Sequence, residues 1–211
     1  MQRSRSKSRS RKRQTLLISD IDKIFKESFV NVENKDKYEN TSKDVTYNIG
    51  YGEITTTAIK NIILFVKKHS KKKPTTFIDL GCGSGRGLAY ALYNGIKNIK
   101  GVELVKERYN FAKKSLKKLG KNEAVVLNSD LFDLSTTFFP ENTLIFVSNL
   151  LFPTDTNQKM IEFLNNNVKP HTFIALTKIP ENLYDFKLLD HIQTPMSWSP
   201  ESKCYILMKM I

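Results

Sequence analysis

The spacing of apolar and polar positions changes period along the chain. From Leu16 to Val30 apolar residues recur at helical spacing, at Leu17, Ile21, Ile24, Phe25 and Phe29, which predicts a helix that Ser19–Asp20 can cap at its start. Residues 31–50 are polar with mixed charge and read as a loop or lead-in. Ile54 to His69 predicts a second amphipathic helix with Ile59, Ile62, Ile63 and Val66 on one face, ended by Lys71–Lys73 and Pro74. Beyond it, short apolar runs alternate with helical segments. Phe77–Leu80, Lys97–Leu104, Ala124–Leu127, Leu144–Val147, Phe173–Thr177, Phe186–Ile192 and Tyr205–Met210 read as strands. Leu88–Tyr93, Lys106–Leu119 and Thr156–Val168 read as helices, the second with Tyr109, Ala112, Leu116 and Leu119 inward and lysines outward. Such alternation predicts an α/β fold: a mostly parallel sheet with helices on both faces.

The first strand runs into Gly81-Cys82-Gly83-Ser84-Gly85-Arg86-Gly87. A strand feeding a glycine turn lets backbone approach a ligand closely, and the next helix offers free N–H groups. Glu103 lies 24 residues after Asp79, at the end of the next strand, where an acid can accept both hydroxyls of a ribose. Asp79 stands just before the first glycine, and a carboxylate there suits a cationic amino group better than a phosphate. Ser129-Asp130-Leu131 ends a third strand and suits an adenine amino group and ring face. The G-x-G-x-G turn and these three strand ends match the S-adenosyl-L-methionine enzymes, whose ligand has an amino-acid end and no phosphates. The competing reading is that Asp79 caps a turn and Glu103 is a solvated strand end.

Charge adds a separate feature. Lys and Arg total 34 against 21 Asp and Glu, a formal +13. Seven of those cations, Arg3, Arg5, Lys7, Arg9, Arg11, Lys12 and Arg13, lie in the first 13 residues without an acid. Removing them leaves 27 against 21, or +6, for the rest. The unopposed cluster predicts a disordered arm that binds polyanions or directs nuclear import, with interleaved serines open to phosphorylation. Hydrophobic residues at 40% support a sizeable core. No apolar run is long enough to span a membrane, and no apolar segment directly follows the basic start as in a signal peptide. Two cysteines give neither a disulfide framework nor a metal set, so a reducing intracellular compartment is expected. Cys82 reads as a space-filler, and His69, His171 and His191 as structural or solvent-facing.

Four stretches, in order, resemble the DOT1-type histone lysine methyltransferases, within the class I, seven-stranded, Rossmann-like methyltransferases. They are Tyr51-Gly52-Glu53-Ile54-Thr55, Phe77-Ile78-Asp79-Leu80-Gly81, Phe146-Val147-Ser148-Asn149-Leu150-Leu151-Phe152-Pro153, and Ser197-Trp198-Ser199 followed by Tyr205. The chain departs from the family pattern at Ser148, usually Asn, at the missing glycine before Pro153, and at Arg86, usually Gln. Composition and periodicity give a basic tail over 1–14 and a helix and lead-in over 15–50, and the resemblance implies a catalytic domain over 51–211. It implies that Tyr51, Glu53, Asp79, Gly81, Gly83, Arg86, Glu103, Asp130, Leu131 and Asn149 bind S-adenosyl-L-methionine. Asn149 would sit beside the transferring methyl, with Trp198 and Tyr205 walling a lysine channel. It further implies a nuclear monomer acting on histone H3 in nucleosomes, with the tail on DNA. Two alternatives stay open: a methyltransferase for another protein lysine or RNA, and an inactive nucleic-acid-binding protein of this fold.

Overall fold

The structure, a computed structural model, describes residues 16–26, 52–70 and 73–210. Tyr51, the basic tail and most of the 15–50 lead-in lie outside the described residues. The elements are α1 (Ile18–Phe25), α2 (Thr56–His69), β1 (Thr76–Leu80), α3 (Arg86–Tyr93), β2 (Asn98–Glu103), α4 (Lys106–Lys118), β3 (Val125–Asn128), β4 (Thr143–Val147), α5 (Thr154–Asn167), β5 (Phe173–Leu176), β6 (Phe186–Gln193) and β7 (Lys203–Lys209). They form one seven-stranded sheet in the order β3-β2-β1-β4-β5-β7-β6. Five strands run parallel, and β7 pairs antiparallel with both β5 and β6. This is the class I methyltransferase sheet that the strand–helix alternation predicts, closed by one antiparallel hairpin.

Alternation along β1 sorts the core into two layers. Phe77 joins one cluster with Ile59, Ile62, Leu88 and Leu116, whereas Ile78 and Leu80 join Ile145, Ile161 and Leu164 on the other face. Asp79 therefore emerges on the α3 side of the sheet. The first cluster also takes Ile21 and Phe25 of α1, both fully buried, so α1 packs into the same core as the sheet. α2 starts where the Thr55 hydroxyl accepts a hydrogen bond from the Ala58 N–H at 3.1 Å, an N-cap.

Strand order reverses between β1, whose sequel β2 lies on one side, and β4, which lies on the other. A crevice opens outside the carboxyl ends of strands at such a point, where ligands of open α/β sheets bind.

Candidate active site

The crevice holds a cavity of about 400 Å³, within the usual span of cofactor sites, roughly 300–1,000 Å³. Its floor is the glycine turn. Gly81, Gly83 and Gly85 adopt φ of 93°, 53° and 81°, a region that penalises side chains, so this bend needs glycine. Gly87 serves a different end: a Cβ there would lie 2.6 Å from Asp79 Oδ2. Its absence lets the Asp79 carboxylate sit against the start of α3.

Three strand ends supply acids around this floor. Asp79, at the end of β1, is buried; that burial, and then the neighbouring Glu103 charge, push its carboxyl up to about 8. Burial also raises the Glu103 carboxyl, opposed by the Val105 N–H, Arg108 and the Gly83 N–H. Glu103 Oε1 accepts from Val105 N at 2.9 Å and Oε2 from Gly83 N at 2.7 Å. A carboxylate has about four acceptor positions, so Glu103 keeps acceptor capacity beyond these bonds. Asp130 caps a 3-10 turn over Leu131–Asp133 by accepting from Phe132 N at 3.0 Å, and both Asp130 and Leu131 border the cavity.

The roof comes from two segments far apart in sequence. Glu53 N donates to the Ser197 hydroxyl at 2.8 Å, Ser197 N donates to the Glu53 carbonyl at 2.9 Å, and Ile54 bridges to Met196. Thr55 donates its hydroxyl to the Pro195 carbonyl at 2.6 Å. Trp198 lies so close over Gly52 that a Cβ there would sit 2.3 Å from the indole. Glu53 is buried, its carboxylate accepting from the Ser84 hydroxyl at 2.7 Å and pairing with Arg86 at 2.8 Å.

Of the residues anticipated from sequence, the structure gathers Glu53, Asp79, Gly81, Gly83, Arg86, Glu103, Asp130, Leu131 and Trp198 around one cavity. Two expectations need correction. The Asn149 side chain is fully buried and does not line the cavity. Its Oδ1 accepts from Thr177 N, Lys178 N and the Thr177 hydroxyl, at 2.9, 3.0 and 3.2 Å. Its Nδ2 donates to Asn157 Oδ1 and to the Lys178 carbonyl at 2.7 Å. The amide thus brackets α5 to the end of β5 and is spent on that role. Tyr205 also lies away from the cavity, on β7 with its ring 6.1 Å from that of His191. The chain leaves β4 at Val147 and turns, with Phe152 N donating to the Asn149 carbonyl at 3.2 Å. The Asn149 side chain points to Thr177 and Lys178, while Ser148 and Leu150 line the cavity.

Sequence reasoning missed Ser84, Arg108 and Leu150–Phe152 as cavity residues. Ser84 was signalled by its place in the glycine turn, and Leu150 by its step from Ser148. Leu150, Leu151 and Trp198 are 46%, 51% and 40% exposed, so the mouth has an apolar rim. No histidine lines the cavity; His69 donates from Nδ1 to the Phe65 carbonyl and stacks on Phe65. The Cys82 thiol is pushed up by burial, which fits a space-filler rather than a nucleophile.

Fold and cavity together define a class I, S-adenosyl-L-methionine-dependent methyltransferase. The profile of the family described as Histone methylation protein DOT1 matches residues 25–199, and the chain belongs to that family. No curated protein sequence matches it. Among solved structures it is similar to an RNA methyltransferase from Salinibacter ruber in complex with S-adenosyl-L-homocysteine, 18% identical, covering 72% of this chain and 92% of that one with a TM-score of 0.55. It is also similar to TrmN from Thermus thermophilus, at 16%, 72%, 48% and 0.55 respectively. A third is the ribosomal protein L11 methylase from Lactobacillus delbrueckii subsp. bulgaricus, at 14%, 72%, 79% and 0.53. At these identities the likeness is one of fold.

Proposed function

We propose that the protein transfers methyl groups from S-adenosyl-L-methionine to a protein lysine, and that its substrate is histone H3 in nucleosomes. The observation that carries this reading is an acid-lined donor cavity opening through the apolar rim of Leu150, Leu151 and Trp198. The cavity fits the donor on its own chemistry. Asp79, a buried carboxyl with its affinity for protons raised, gains from a cationic amino group beside it. Glu103 retains acceptor positions for two hydroxyls. Asp130 and Leu131 border the remaining end, where an adenine would lie. Gly81 and Gly83 let the backbone pass close to the ligand. When bound, the donor supplies an electrophilic methyl on a sulfonium.

Lysine brings the opposite problem. Its ammonium has no lone pair, and freeing the amine from a pKa of about 10.4 at pH 7 costs about 4–5 kcal/mol. An apolar rim lowers that cost by desolvating the ammonium, and it packs the methylene stem. The chain's task is then to align the amine and exclude water, without a dedicated base. The basic residues Arg3, Arg5, Lys7, Arg9, Arg11, Lys12 and Arg13 would hold nucleosomal DNA through phosphate contacts, consistent with action in the nucleus.

The test is incubation with radiolabelled donor and, separately, nucleosomes, free histones, total RNA and cell lysate. Label in nucleosomal histone H3 is expected. Label confined to RNA, or to a non-histone band, refutes the histone reading.

A further inference from the structure

Arg86 is the first residue of α3, directly after Gly85 of the glycine turn. Among the described residues its guanidinium bridges Glu53 and Phe25. One nitrogen lies 2.8 Å from Glu53 Oε2 in the roof. The other donates to the Phe25 carbonyl at 2.6 Å, and the guanidinium carbon stands 5.7 Å from the centre of the Phe25 ring. Phe25 ends α1, and Glu53 lies 28 positions further on. Arg86 therefore holds the end of α1 and the roof of the cavity with one side chain. A planar fork can do this, whereas a single ammonium on a flexible stem cannot hold both partners in one fixed geometry. The Arg86 and Glu53 side chains are only 17% and 6% exposed, so solvent screens their pairing little.

Both partners are themselves anchored. Glu53 Oε1 accepts from Ser84 of the glycine turn, and the Glu53 backbone pairs with Ser197. α1 buries Ile21 and Phe25, and Asp22 accepts from the Tyr90 hydroxyl at 2.9 Å. Undocking α1 removes the Phe25 acceptor from Arg86 and loosens its hold on Glu53.

We infer that Arg86 is a positioning residue that couples α1 to the donor cavity: donor binding tightens the docking of α1, and weakened docking lowers donor affinity. This rests on the cavity being the donor site. By linkage, the factor by which bound donor favours docked α1 equals the factor by which docked α1 raises donor affinity.

The test uses the full chain, with calorimetric titration of S-adenosyl-L-methionine and hydrogen exchange of amides 18–25. Donor is expected to slow exchange in α1. Arg86→Gln should weaken donor binding about tenfold, within the range of linked sites, and abolish the slowing. Tyr90→Phe loosens α1 without altering a cavity residue and should weaken donor binding severalfold. Donor binding that leaves α1 exchange unchanged overturns the coupling, as does undiminished slowing in Arg86→Gln. If Arg86→Gln does not fold, wild-type exchange and Tyr90→Phe decide: unaltered donor affinity in Tyr90→Phe also overturns it. A wild-type protein that binds no donor refutes the donor-site reading itself, a result distinct from the others.

Discussion

The ends of β1 and β2 differ from the end of β4 in how their buried polar groups are satisfied. Asp79, Glu103 and Asn149 are all nearly inaccessible. Asn149 meets its demand within the protein, with both amide atoms bonded to α5 and to the residues after β5. Asp79 and Glu103 instead face a cavity, and burial raises both carboxyls. A group satisfied in the free protein supports architecture. A buried carboxyl that still disfavours its own charge holds interaction energy that a complementary ligand can release. Burial alone therefore does not separate site from scaffold.

Four changes test that contrast. Asn149→Ala should act as a scaffold lesion, costing about 3–4 kcal/mol by leaving Thr177 N and Lys178 N without their acceptor. Denaturant titration measures it; unchanged stability with lost turnover would return Asn149 to the reacting groups. Glu103→Ala should weaken donor binding about 100-fold, equivalent to two lost bonds to a charged group, as read by calorimetry. The third concerns pH. Folded Asp79 keeps its proton up to about 8, against an ordinary value of 3.8. Its stabilising contribution is complete below about pH 4 and is lost as pH rises through about 8. A donor ammonium favours the carboxylate, so binding releases a proton and affinity should rise about eightfold from pH 6.5 to 7.5. Titrations in which Asp79→Asn keeps that rise would remove Asp79 from the amino-group site. Smallest is Gly87→Ala, whose Cβ would push on Asp79 Oδ2. It should weaken donor about fivefold with little change in melting temperature, because the displaced atom ends a movable side chain.

Much of this was readable from the chain. Each strand–helix alternation appears in the fold, because buried parallel strands need continuous apolar runs and their helices need a 3.6-residue stripe. The glycine turn and the acids Asp79, Glu103 and Asp130 were placed by their distance from strand ends. Orientation was harder. Asn149 and Ser148 are neighbours in one motif, yet only Ser148 lines the cavity, in the turn that follows β4. Tyr205 sits in a closing strand as anticipated, but its ring meets His191. Contacts such as Trp198 on Gly52, or Arg86 between Phe25 and Glu53, join positions whose spacing has no local period.

The place of β7 between β5 and β6 sets a timetable for the site. Until residues 203–209 emerge from the ribosome, β6 has no strand to join, and the hairpin carrying Ser197 and Trp198 cannot close. Glu53, made some 145 residues earlier, waits throughout for its backbone partner. Pairing across such a separation is slow relative to local structure. The nascent chain can thus build its glycine turn and acids early, yet acquires a roofed donor cavity only when synthesis has passed β7.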